Sequence, residues 1–383
     1  MDIVGQLDKI NRMPLYRLTL NSMENTHSEM LQYLFEWYPK ESKNILSEWL
    51  DTSSSDFDIL ESVREKDGHK DLLIQYKSHA SKHIHKMIIE NKLKALPTLQ
   101  QLEKYSANKP YSIGILLSLS KPVFLKNTDS LRIGKMHWHY VSYKRLEEGL
   151  KKIIPLIREK NEQDAIYFTD YHFIVKSLLC IPFEIDWETE LFNFTNRNHL
   201  WKKLVEVRLH DIYSKNKYQQ LALMVLNQIK TFHPSSTYSQ DWVTDKKHNL
   251  FLNDGFASGN ALFDVKYRIN PGVCIGIQVQ GMSFRLFVDG TEQTQEKAKN
   301  IAYMLLDERK WFSFHHIPNH ESLQIYPTEA GKVFNGYGRI KKTGEQWFFY
   351  KSVNLEPLLM KDLVNLVSMY ITEVIKLKDL FTN

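Results

Sequence analysis

At 383 residues and 45.3 kDa, with 43 % hydrophobic and 12 % aromatic side chains, the chain can bury one large core or two ordinary ones, which excludes a peptide or a disulfide-stapled miniprotein. Fifty Lys and Arg against 45 Asp and Glu leave a net charge of +5, which names no partner by itself. The two cysteines, Cys180 and Cys274, lie far apart with no second Cys or His at metal-ligand spacing, which argues against a disulfide framework or a structural zinc site and for a reducing compartment.

The amino terminus has neither the basic start nor the apolar core of a secretion signal, so a cytoplasmic location is expected. The longest strongly apolar stretch, residues 113–119, falls far short of the roughly 20 residues a spanning helix needs, and no membrane association is expected. Residues 22–37 space their apolar side chains as an amphipathic helix behind an Asn21 or Ser22 cap, and carry Glu24, Thr26 and Glu29. Residues 56–65 and 71–76 flank the turn signal Asp67-Gly68 and read as a hairpin. Residues 84–93, centred on Met87-Ile88-Ile89, read as a third strand. Pro97 is placed to open a helix whose apolar side is Leu99, Leu102 and Tyr105, and residues 111–119 read as a fourth strand. The order is helix, three strands, helix, strand.

Residues 144–160 and 164–179 have helical spacing, and residues 193–232 form a charged helical tract with a break expected near Ser214. Beyond the polar stretch at 233–237 the pattern turns to strands at 261–267, 274–279 and 284–288. A helix capped by Thr291, strands at 332–340 and 346–353, and a closing helix over 356–381 follow. The expected fold class is α/β, with a core over residues 1–135, a helical region over 136–235 and an α+β domain over 236–383.

Chemistry concentrates on the third strand. Glu90 and Lys92, two residues apart, project to one side, and Asn91 turns away while leaving its carbonyl near theirs. A Glu and a Lys delivered by so apolar a run are costly unless paired, set in a cleft, or bound to a metal. Asp71, from the neighbouring strand, with Glu90 and one carbonyl makes the oxygen-rich environment that Mg²⁺ or Mn²⁺ prefers. Lys92 supplies a compact cation to position water or to stabilise charge on a phosphate.

Asp71 followed by Glu90-Asn91-Lys92, in that element order, resembles the PD-(D/E)XK nuclease superfamily. Glu24-Asn25-Thr26-His27-Ser28 resembles the Glu-x-x-His-Ser of its bacterial branches, and Gln101 with Tyr105 is similar to the Gln-x-x-x-Tyr of its RecB-like lineage. The resemblance covers residues 20–120, and Lys70 stands where the motif has Pro. It implies a restriction-endonuclease-like core and a divalent-metal-dependent nuclease cutting DNA. Asp71, Glu90 and the Asn91 carbonyl would be ligands to Mg²⁺ or Mn²⁺, Lys92 would act on water or phosphate, and Glu24 would assist. Gln101, Tyr105, Lys94 and His27 would support the site or touch substrate. An inactive binding module and an RNA-directed nuclease remain open at this stage, as do a homodimer and a protein partner for the carboxy-terminal half.

His83, His85, the His137/His139 pair, His315 and His316 read as surface residues. Gly336-Tyr337-Gly338 lacks the helix and Lys of a phosphate loop, and Arg339, Lys341 and Lys342 read as a solvated hairpin. Charge is unevenly placed: residues 70–126 hold ten lysines and three acids, Asp71, Glu90 and Glu103. The positive excess therefore falls on the segment carrying the candidate site, the footprint expected of a face that meets a phosphate backbone.

Overall fold

The computed structural model describes residues 2–19, 23–64, 71–80, 83–93, 97–107, 112–125, 128–182, 185–192, 199–234, 238–239, 247–257, 259–328, 332–341 and 344–377. Contacts divide the chain into two units, Met1–Pro182 with Arg197–Tyr213, and Phe183–Asn196 with Ser214–Asn383.

The first unit opens with α1 (Ile3–Arg12), α2 (Pro14–Thr19), α3 (Met23–Trp37) and α4 (Pro39–Trp49). Its strands are β1 (Phe57–Val63), β2 (Leu72–Ser78), β3 (Ile84–Lys92), β4 (Ile113–Ser118), β5 (Ser130–Ile133) and β6 (Met136–Ser142). Helix α5 (Leu99–Ser106) lies between β3 and β4, and α6 (Tyr143–Arg158), α7 (Glu162–Leu178) and α8 (His199–Glu206) follow the sheet. The helix, three strands, helix, strand order expected of residues 22–119 is thus present. Thr98, rather than Pro97, caps α5, its side chain accepting from the Gln101 N–H.

The six strands lie in the order β1-β2-β3-β4-β6-β5. The meander β1-β2-β3 is antiparallel, β3-β4-β6 is parallel, and β5 returns antiparallel to β6. Register sorts the side chains into two faces. Leu73 pairs with Ile88, Gly114 with Ile88 and Trp138, and Leu116 with Glu90 and Tyr140; this face packs on Leu102 and Tyr105 of α5. Helices α3, α4 and α6 contact the sheet strands, and Asn91, of opposite parity to Glu90, meets α3 and α6 through its side chain. The last six residues of β3 are all buried, as a central strand flanked on both sides requires.

The second unit carries α9 (His210–Phe232) from Ser214 onward and then β7 (Tyr238–Ser239), β8 (Leu250–Ala257), β9 (Asn260–Asn270), β10 (Val273–Gln280), β11 (Ser283–Thr291), α10 (Gln295–Asp307), β12 (Asn335–Lys341), β13 (Gly344–Asn354) and α11 (Met360–Leu377). Its seven-stranded sheet has the order β12-β13-β11-β10-β9-β8-β7, antiparallel except where β7 joins β8. Helices α10 and α11 contact its central strands. Lys266 and Asp289 form a buried ion pair of 2.8 Å within this sheet. Arg339 and Lys341 fall on β12, and Lys342 lies outside the described residues, as does the expected turn Asp67-Gly68.

Two expectations are corrected. Residues 136–235, expected as one helical region packed on the core, divide: β6 extends the first sheet, α6 contacts β6 and packs with α7, and most of α9 belongs to the second unit. An amphipathic helix cannot bury its apolar stripe alone, so these helices join the nearest sheet. The break in the charged tract falls between Glu206 and His210, where Arg208 takes a left-handed φ of 54°, and not at Ser214. Among the described residues no helix is long and apolar enough to cross a membrane.

Gly114 is required by close approach. A Cβ there would sit 2.6 Å from two Trp138 ring carbons and 2.7 Å from the Met136 methyl. Gly114→Ala is expected to destabilise the protein by about 1–3 kcal/mol through overpacking, read from urea or thermal unfolding.

Candidate active site

Antiparallel pairing of Leu72 with Ile89 carries Asp71 across from Glu90, and both stand on the α5 side of the sheet with Lys92. Glu90 and Lys92 end β3 beside the parallel strand β4, the end at which open α/β sheets present their sites. Glu90 is 1 % exposed and Lys92 9 %, so neither can rely on water for its charge.

The donors around Glu90 converge on a single atom. Lys92 Nζ is 2.7 Å from Glu90 Oε1, Gln101 Nε2 donates to the same oxygen at 2.7 Å, and the Tyr105 hydroxyl donates to it at 3.5 Å. Gln101 Nε2 also reaches the Tyr105 hydroxyl at 3.0 Å, as residues four apart on a helix can. Glu90 Oε2 is buried with no hydrogen-bond partner among the described residues. Asp71 Oδ2 accepts the Asn91 backbone N–H at 2.7 Å, and Glu24 Oε1 accepts the Leu93 N–H at 3.3 Å, so both carboxylates are fixed to the end of β3.

Asn91 points to the other side of the sheet, where its side chain is fully engaged. Its Oδ1 accepts from the Tyr143 hydroxyl at 2.7 Å, and its Nδ2 donates to Ser28 Oγ at 3.3 Å and to the Glu24 carbonyl at 3.4 Å. Ser28 Oγ in turn donates to the Glu24 carbonyl at 2.9 Å. The start of α3 is thereby tied to β3, which brings Glu24 to the strand end.

Electrostatics follow from this burial. Desolvation lifts the Glu90 carboxyl to about 7; Lys92 pulls it down, while Asp71 and Glu24 push it further up. Asp71 is also raised, first by burial, against the Asn91 N–H, Lys92 and Arg64 and with the help of Glu24. Burial works to lower Lys92, but Glu90, Asp71 and Glu24 outweigh it and the ammonium is held above the ordinary lysine value. Carboxylates that crowd around one ammonium leave negative charge for a cation to neutralise.

The sequence reading placed Asp71, Glu90, Lys92, Glu24, Gln101 and Tyr105 at one site, and the fold brings them together. His27 does not join them: it is 2 % exposed, with Nδ1 3.1 Å from the Tyr171 hydroxyl and its ring against Tyr143 and Tyr171. Burial drops its pKa to about 3, so it is a neutral core residue that supports Tyr143. Lys94 and Lys70 lie outside the described residues. Sequence reasoning quoted Ser28 in the Glu-x-x-His-Ser resemblance without giving it a role, and passed over Tyr143 and Arg64, since Tyr143 is 52 residues from Asn91. Glu24, Asp71 and Glu90 do not bring three ligand atoms within 4.8 Å of one another, so they do not form a closed carboxylate cage.

Comparison with known proteins finds no matching family model, no matching curated protein and no matching solved structure.

Two pH limbs are expected. Unfolded Glu90 ionises near 4.5 and folded Glu90 near 7, so its contribution falls as pH rises between these values; Glu90→Gln removes that fall. Relative to wild type, the variant should gain on the order of 2–3 kcal/mol between pH 4.5 and pH 8 in metal-free denaturant titrations. His27 has the opposite sense. The unfolded state binds its proton near 6.5 and the folded state only near 3, so stability drops as pH falls through that window. A His27→Gln variant should show a shallower loss of thermal stability from pH 6.5 to pH 4.

Proposed function

We propose that the protein is a divalent-metal-dependent nuclease of the PD-(D/E)XK type, with a restriction-endonuclease-like core, acting on DNA. The observation that carries the reading is the lopsided solvation of Glu90: three donors share Oε1, and the buried Oε2 has none among the described residues. An orphaned carboxylate oxygen in the interior costs about 1–3 kcal/mol or more unless something positive satisfies it. A second carboxylate, Asp71, stands across the strand pair from it, and its pKa too is raised by burial. The donor set suits a hard, oxygen-seeking cation, Mg²⁺ or Mn²⁺, held by Asp71, Glu90 and the Asn91 carbonyl.

When bound, such a cation neutralises charge at a scissile phosphate and makes water more acidic. The chain's own residues supply the remainder. Gln101 and Tyr105 fix the rotamer of Glu90 by loading Oε1, so that Oε2 is the free face. Lys92 has three donors and, among the described residues, uses one on Glu90; the others would orient the attacking water or stabilise charge on the phosphate oxygens. Asp71 anchors the Asn91 peptide through its N–H, which sets the direction of the adjoining carbonyls. Glu24 adds negative charge that strengthens cation binding.

Substrate class is supported by charge. Lys77 and Lys86 share the sheet face of Glu90 and Lys92 by register, along a segment with ten lysines and three acids. Such a face draws a phosphate backbone, with affinity that falls steeply as salt rises. Reactions with the 383-residue chain on plasmid, linear duplex and single-stranded DNA and on RNA, with Mg²⁺ or Mn²⁺, test the reading. Asp71→Asn, Glu90→Gln and Lys92→Ala are each expected to lower cleavage at least about 100-fold while salt-sensitive DNA binding persists. Mn²⁺ should raise the thermal midpoint of wild type and not of Asp71→Asn/Glu90→Gln. Cleavage indifferent to all three substitutions would overturn the assignment; selective cutting of RNA would move it to RNA.

A further inference from the structure

The second unit holds a cluster that the sequence reading dismissed as surface histidines. Among the described residues, His315, His316 and Glu373 are the group of His, Cys, Asp or Glu side chains whose ligand atoms all lie within 4.8 Å of one another. His316 Nε2 is 3.0 Å and His315 Nε2 3.3 Å from one atom, Glu373 Oε2. Two neighbouring residues seldom aim both rings at one point. Just before them Phe314, fully buried, takes a left-handed φ of 60°, so the chain turns at this point.

The platform beneath is rigid. Tyr370, one helical turn before Glu373 on α11, is fully buried between Trp311 and Phe284, with ring centroids 5.2 and 5.7 Å away. Its hydroxyl accepts the His316 backbone N–H at 3.2 Å, and its ring lies 4.7 Å from the His316 ring. Ser313 Oγ lies 3.4 Å from His315 Nδ1, an outer partner that can hold the ring with Nε2 turned inward.

We infer that His315, His316 and Glu373 bind a borderline divalent transition cation, Zn²⁺ in the first instance. Ligands at about 2.0–2.2 Å around a tetrahedral zinc are separated by roughly 3.3–3.5 Å along each edge. The two nitrogen-to-oxygen separations, 3.0 and 3.3 Å, are close to that spacing, and the two nitrogens lie within 4.8 Å of each other, so all three side chains are within reach of one ion. Two imidazoles and one carboxylate select zinc over Mg²⁺, which prefers an all-oxygen shell. Three protein ligands leave a fourth position for water or an exchangeable group, and the side chains, 24–34 % exposed, give it access to solvent. This site shares no residue with the proposed nuclease centre, and its donor chemistry differs.

The test is calorimetric titration of the tag-free, metal-stripped full chain with Zn²⁺, in the Asp71→Asn/Glu90→Gln background as well as in wild type. One zinc per chain is expected in both, undiminished by millimolar Mg²⁺. His316→Gln and Glu373→Gln, close to the originals in size, should each weaken binding by more than about 100-fold, exceeding what loss of an outer partner costs. Co²⁺ added to unmodified wild type should give the intense visible absorption of a tetrahedral nitrogen and oxygen shell, a readout that needs no variant to fold. The inference is overturned if wild type takes up neither zinc nor cobalt stoichiometrically, if the His316 and Glu373 variants bind as wild type does, or if binding disappears in the Asp71→Asn/Glu90→Gln background.

Discussion

A buried carboxylate whose hydrogen-bond donors among the described residues all meet one oxygen is the constraint around which the first unit is built. β3 runs through the interior between two covered faces, and its last three residues are a Glu, an Asn and a Lys. Each needs a partner, because a polar group taken out of water without one costs more than an apolar contact returns. Their alternation sends the demand both ways. Glu90 and Lys92 satisfy each other in part and draw in Gln101 and Tyr105 from α5, and Asn91 draws in Ser28 from α3 and Tyr143 from α6. The strand end thus fixes three helices, and the same contacts that settle the packing hold the charged groups in place.

That arrangement explains why the site is poised rather than neutral. Asp71 and Glu24 are held by backbone N–H groups at the end of β3, close enough for their charges to act on Glu90 and Lys92. Burial is what lifts the carboxyls of Glu90 and Asp71, with the neighbouring acids adding to it against the pull of Lys92, and those same acids keep Lys92 charged despite its burial. Under the proposed function this imbalance is the source of cation affinity. Under that reading, stability lost to the crowded carboxylate cluster in the free protein would be recovered on cation binding.

The second unit answers a different packing problem in a comparable way. Its central strands bring Lys266 and Asp289 together in the interior, where the buried aspartate and its neighbours hold the lysine to about 12 against the pull of burial. At its periphery, a left-handed residue and a locked tyrosine orient two adjacent imidazoles toward a carboxylate from α11. In both units a rigid apolar element sets the direction of polar groups that have little freedom left to move.

Much of the first unit was legible in the sequence, because local signals there agree with the fold. A short apolar run centred on Met87-Ile88-Ile89 located β3, period two placed Glu90 and Lys92 on one side, and helical spacing put Gln101 and Tyr105 on one face of α5. That Asp71 and Glu90 come from neighbouring strands was part of the reading, and the register that sets them opposite each other came from the fold. Other features had no local signature. His27 has the same sequence surroundings whether it faces a metal or a tyrosine, and only the packing of α7 against α3 made it a neutral core residue. The partner of Asn91, Tyr143, is 52 residues away, and Glu373 is 57 residues from His316. The domain division also differed from the reading, since helical spacing records that a helix has an apolar stripe but not which sheet will cover it. The sequence by itself determined which residue types arrive together within a strand or a helical turn, because backbone geometry fixes those distances. Only the tertiary structure decided which oxygen of Glu90 is left without a donor, which histidines are buried and which converge, because those outcomes depend on chain segments that meet through folding alone.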